Sequence, residues 1–169
     1  MLAPSTWSLE LKAFHIGWRL NDKSELEKQV PQFLAKRIAA TDAALADDFE
    51  PARKHYQKAI QYTLGTQTDP ENAIKEVTSA IESVGKVFYA NTNTLGDVVK
   101  EMKKDKTWPA QLVLMIERYY AYASSEPAVR HGSTVSSRVL LSDSEFCLHV
   151  GAAIIRYLME RGPSGDLPF

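Results

Sequence analysis

The chain has 169 residues, 44% apolar and 24% charged, with a formal net charge of −1. This is the profile of one globular domain that can bury a core without disulfide or metal staples. It excludes a generally basic nucleic-acid coat, though not a local basic patch.

The single cysteine, Cys147, cannot close an internal disulfide, which fits a reducing, cytoplasmic setting. Its place in an apolar helical pattern reads as a small buried hydrophobe. No apolar run is long enough to span a membrane, and the first residues lack the pattern of a signal peptide, so no membrane association is expected. His15, His55, His131 and His149 are not at ligand spacing, and no glycine-rich phosphate loop occurs. Neither a metal nor a cofactor is therefore expected.

In chain order, Trp7, Leu11, Phe14 and Trp18 fall at helical spacing, while Phe14, Ile16, Trp18 and Leu20 alternate as a strand would. Ser24 with Glu27 has the form of a capping box that opens a second helix, with Pro31 near its start and Val30, Phe33, Leu34, Ile38 and Leu45 along it. The acidic "ADDFEP" is a break, with Asp48 as a cap for a helix carrying Phe49, Ala52, Tyr56, Ile60 and Leu64 up to Gly65.

"TQTDPENA" is the clearest start signal, with Asp69 as cap and Pro70 at the first helical position. The helix that follows aligns Ile74, Val77, Ile81, Val84 and Phe88. Thr94 caps a short helix, and Thr107 before Trp108-Pro109 opens a long one with Leu112, Met115, Ile116, Tyr119 and Tyr120 inward. Ser142 with Glu145 starts the last helix, whose core face is Phe146, Val150, Ala153, Ile154, Tyr157 and Leu158, and Gly162-Pro163 ends it. The fold class is all-α. Residues 66–169 form a helical bundle, and residues 1–65 form an N-terminal helical segment that packs on it or contacts a partner.

Few residues invite chemistry. Glu82 and Lys86 are four apart on one helix face, and read alone they are a solvated pair worth about 0.3–0.5 kcal/mol. His149 reads as a satisfied core residue, His15 and His55 have little around them, and Tyr119, Tyr120 and Tyr122 read as core and rim. Arg130-His131 differs. An imidazole can move a proton near neutral pH and a guanidinium can hold a phosphate oxygen by two hydrogen bonds. Together they could cleave RNA without metal, with a base on the 2′-OH and a cation on the phosphorane. Gly132 allows close backbone approach, and Ser133 and Thr134 add hydroxyl donors to the substrate. Read locally, Arg130 can equally pair with a helix end.

The order "DPENAIKEVTSAIESVGK", "TLGDVVKEM", "YYAYASSEPAVRHG", "DSEFCLHVGAAIIRYLM" resembles the C-terminal domain of bacterial abortive-infection proteins of the AbiJ type, within the HEPN superfamily of helical bundles. The resemblance spans residues 69–161. It implies a HEPN-like antiparallel bundle with additional N-terminal helices, a homodimer, and a role in phage defence or in toxin–antitoxin pairs with a partner or antitoxin protein. It also implies a metal-independent endoribonuclease in which Arg130 and His131 are catalytic, Glu82 orients one of them, and Lys86 with Ser133 and Thr134 contacts the RNA substrate. Active members separate the arginine from the histidine by several residues, whereas here the two are adjacent. Two readings follow: a ribonuclease, or a non-catalytic dimerisation and binding module in which Arg130 pairs with Glu82.

Overall fold

The structure, a computed structural model, describes residues 17–21, 24–125 and 138–162. The described chain is predominantly helical, as the all-α expectation requires, with one small antiparallel hairpin. Strands β1 (Trp18–Leu20) and β2 (Leu26–Lys28) precede α1 (Gln32–Ala44). A short 3-10 turn, Asp47–Phe49, leads into α2 (Glu50–Leu64). The remaining helices are α3 (Pro70–Phe88), α4 (Leu95–Lys104), α5 (Ala110–Ser125) and α6 (Leu141–Arg161).

The hairpin corrects the expectation of a helix from Ser24. Ser24 sits at φ 63°, a left-handed turn position that cannot cap a helix. Asn21 holds the turn instead, accepting at its side chain from the Glu25 backbone N–H at 3.0 Å. Glu27 reaches across to Arg19 rather than back along a helix. The alternation reading holds for Trp18 to Leu20, while the expectations for Trp7, Leu11 and Phe14 lie outside the described residues. Pro31 stands just before α1, as a residue without a backbone N–H must.

Asp48 does not cap α2. The 3-10 turn runs through it, and Phe49 occupies the cap position without a side-chain bond. Ala52, Tyr56, Ala59 and Thr63 then bury the stripe that α2 lays against α3. The connection between these helices is tight: Asp69 N–H donates to the Tyr62 carbonyl at 2.9 Å, and the Asp69 carboxylate accepts from Asn72 N–H at 3.1 Å, the cap foreseen from Asp69-Pro70.

Helix α3 is the axis of the molecule, touching α2, α4, α5 and α6. Ile74, Val77, Ile81 and Val84 are fully buried on it. Two glycines set how closely its neighbours approach. A Cβ on Gly151 of α6 would collide with Val77 Cγ1, and one on Gly85 would lie 2.7 Å from Val98 Cγ1 of α4. Helix α1, the Leu45 that follows it, and α2 contribute Ile38, Leu45, Tyr56 and Leu64 to the same hydrophobic core as α3 to α6.

The last two helices are rotated from the expected faces. In α5 the inward residues are Val113, Ile116, Tyr119 and Ala123, leaving Met115 67% exposed and Leu112 at the surface. In α6 they include Cys147, Leu148, Gly151, Ala152, Ile155 and Leu158, while Phe146 is 65% exposed and Ala153 faces outward. Its start is fixed by Asp143, which accepts from the Leu140 N–H at 2.8 Å, and not by Ser142 with Glu145. Glu145 instead pairs with Lys28 of the hairpin at 2.7 Å. The surplus of apolar residues explains the rotation: "QLVLMI" offers several adjacent stripes, and packing chooses among them.

Candidate functional site

Glu82 projects from the fourth turn of α3 and its side chain is 16% exposed. Its Oε1 accepts from Lys86 Nζ at 2.7 Å, the expected one-turn pair. Its Oε2 accepts from the backbone N–H of Leu95 at 3.0 Å, and Leu95 is the first residue of α4. The carboxylate thus sits where a helix start carries partial positive charge and unsatisfied N–H groups.

The rest of that helix start is satisfied locally. Thr94 Oγ1 accepts from Asp97 N–H at 3.2 Å, and Asp97 Oδ2 accepts from Thr94 N–H at 3.2 Å, a reciprocal capping box. Hydrogen bonds from Lys100 and Thr94 hold the Asp97 carboxyl down to about 2. "TLG" acquires a physical meaning here: Thr94 caps, Leu95 is buried, and Gly96 lies under the Tyr120 ring, 3.0 Å from where a Cβ would be.

Of the six site residues expected from the sequence, the structure describes Glu82 and Lys86 and brings them together. Arg130, His131, Ser133 and Thr134 lie outside the described residues, in the connection between α5 and α6. Lys86 is exposed at the rim of the pair, and Glu82 has contacts beyond those with Lys86 and Leu95. Among the described residues no cluster of His, Cys, Asp or Glu could hold a metal ion, and no helix is long and apolar enough to cross a membrane.

Other polar groups bear on the sequence reading, one departing from it and the rest agreeing. His149 is half-buried, and among the described residues neither ring nitrogen has a hydrogen-bond partner, unlike the satisfied core histidine expected. Burial lowers its pKa, opposed by Glu145 and assisted by Arg37. Cys147 is buried as foreseen, and burial pushes its thiol up to about 12. Tyr119 is buried too, its hydroxyl near Thr78 Oγ1 at 3.5 Å, and Tyr120 and Tyr122 form the rim.

Sequence reasoning missed the pair between His55 of α2 and Glu76 of α3. Glu76 is 8% exposed, and its Oε2 lies 2.6 Å from His55 Nδ1. A signal was present: Glu76 stands between Ala73, Val77 and Ala80 on the inward side of α3, and a carboxylate at such a position needs a partner. The partner, on another helix, carries no local mark.

No protein-family model, curated protein or solved structure matches this chain.

Proposed function

We propose that this chain is a HEPN-like helical domain of a phage-defence or toxin–antitoxin system, acting as a homodimer that cuts RNA without a metal ion. The observation that carries the reading is the placement of Glu82 and Lys86. They form a half-buried ion pair at the start of α4, inside a helical protein whose α3, α4 and α6 carry the first, second and fourth quoted segments and whose α5 carries the opening residues 119–125 of the third. The exposed apolar side chains of Met115 on α5 and Phe146 on α6, the two helices that flank residues 126–137, support association with a second copy.

In this reading His131 takes the proton from a ribose 2′-OH, the 2′-oxygen attacks the adjacent phosphorus, and the 5′-oxygen leaves with a proton from a general acid. Arg130 holds the negative charge that builds on the phosphorane oxygens. Purified protein should cut single-stranded RNA in the presence of EDTA, and His131→Ala should abolish the cutting while leaving the melting temperature unchanged. Cutting that survives His131→Ala removes that residue from the mechanism.

A second reading is favoured by one feature. Both oxygens of Glu82 are already engaged, by Lys86 and by the Leu95 N–H, which is how a structural carboxylate is held. On that basis the domain is a non-catalytic dimerisation or binding module. A dimer by light scattering with no RNA cleavage selects it.

A further inference from the structure

A groove of about 1130 Å³ opens between the hairpin, α1 and α2, and Glu82 is not part of its lining. Its lining carries Arg19, Lys36, Arg53, Lys54 and Lys58 against Glu25, Glu27 and Asp42. The carboxylates are largely spent within the fold. Glu27 pairs with Arg19, Asp42 is held by Arg53 at 3.2 Å and by Gln57 at 2.9 Å, and Glu25 is bonded to Asn21 at 3.1 Å. Lys36, Lys54 and Lys58 are exposed and have no ion-pair partner among the described residues. A chain with a net charge of −1 therefore concentrates uncompensated positive charge in one concave place.

Lys54 and Lys58 are one helical turn apart on α2, about 5 to 6 Å at Cβ, and Lys36 stands on the opposite wall. The lining also includes Gln32, Gln57 and Gln61, which carry amides, and Tyr62, which carries a ring. Cations that follow a backbone, amides that can read base edges and an aromatic ring for stacking are the components of single-strand recognition. An acidic peptide would meet the same lysines but has no bases to stack on the ring or to be read by the amides.

We infer that this groove holds the sugar–phosphate backbone of a single-stranded polynucleotide. The inference deepens the RNA reading above and rests on it for the choice of RNA as the strand. Lys36, Lys54 and Lys58 neutralise its phosphates.

The test is fluorescence anisotropy of the full chain with a labelled 2′-O-methyl oligouridine, which lacks the hydroxyl nucleophile and so reports binding alone. Lys54→Glu with Lys58→Glu should weaken binding on the order of tenfold and flatten the dependence of log affinity on log salt by about 1 to 1.5. Lys36→Glu, on the other wall, should weaken it independently. Lys104→Glu with Lys106→Glu, an equal charge change outside the groove, should stay within about twofold. The inference is overturned if the groove variants bind as the native chain does, or if the control loses as much. It is also overturned if polyglutamate of the same length displaces the oligonucleotide as well as unlabelled oligonucleotide does. Binding that depends on the groove without any RNA cleavage would sink only the ribonuclease reading, and cleavage indifferent to the groove lysines would sink only this one.

Discussion

The Glu82 carboxylate accepts a hydrogen bond from the backbone N–H of Leu95 at 3.0 Å, tying the middle of α3 to the first residue of α4. A charge-assisted bond to a half-buried carboxylate contributes more than the solvated ion pair that Glu82 and Lys86 make on the other side. Glu82→Ala should therefore destabilise the fold by about 1 to 3 kcal/mol, and Lys86→Ala by at most about 0.5 kcal/mol, in urea unfolding. Glu82→Gln keeps an acceptor for Leu95 and should fall between them. Equal, small losses for all three variants would show that the Leu95 bond contributes nothing.

That relationship also marks how far the sequence could be read. Where a capping side chain and the N–H it accepts from lie within four residues, as in Asp69-Pro70-Glu71-Asn72 and Thr94 to Asp97, the local pattern names the element and the structure agrees. Ser24 with Glu27 has the same spacing, yet its residues serve a hairpin, because spacing alone does not say whether Glu27 bonds backwards or across to Arg19. The pairing of Glu82 with Lys86 is legible for the same reason of proximity, and Leu95, thirteen residues on, is not. The groove lysines are legible as residues but not as a site, since α1, α2 and the hairpin meet only through tertiary packing.

The contact of Gly151 with Val77 gives a second prediction. A methyl group at position 151 meets Val77 Cγ1 and Ile81 Cδ1 where α6 crosses α3, both side chains being fully buried. Gly151→Ala should cost about 1 to 3 kcal/mol despite its better helix propensity. Adding Val77→Ala should recover part of that loss, so the double variant should be more stable than the sum of the single effects implies. Strict additivity in thermal melts would show that the two helices can move apart.

Glu76 supplies a third. Removing its carboxylate in Glu76→Ala leaves the His55 Nδ1 without its partner and opens space between α2 and α3. A loss of about 1 to 3 kcal/mol is expected, with Glu76→Gln milder because an amide oxygen can still accept from an imidazole N–H. Proton NMR of the native protein should show a slowly exchanging His55 Nδ1 proton that vanishes in Glu76→Ala. A native spectrum without that proton would mean that the pair is not held in solution.

Cys147 should be chemically silent in the folded protein. Its thiol is buried against the core and pushed up to about 12 by desolvation, with the Asp143 charge adding to the shift and a hydrogen bond to Tyr119 opposing it. The thiolate is the reactive form, so at pH 8 both access and ionisation are against reaction. A thiol reagent should label native protein at the rate of global unfolding and denatured protein at once. Fast labelling of the native form would place Cys147 in a locally opening segment of α6.

The capping box of α4 makes stability depend on acid in a defined window. Asp97 has a folded-state value near 2 against an ordinary 3.8, because Lys100 and Thr94 bond its charged form. A depressed folded value means that the unfolded chain takes up the proton first as pH falls. The stabilisation is therefore complete above about pH 4 and is lost progressively as pH drops toward 2. Asp97→Asn should remove this component of the acid sensitivity and leave a flatter melting-temperature profile between pH 4 and 2. It should also lower stability at neutral pH, because the amide lacks the charge that favours both the α4 N-terminus and Lys100. A variant whose acid profile parallels that of the native chain would assign the sensitivity to other carboxylates and leave Asp97 as a neutral cap.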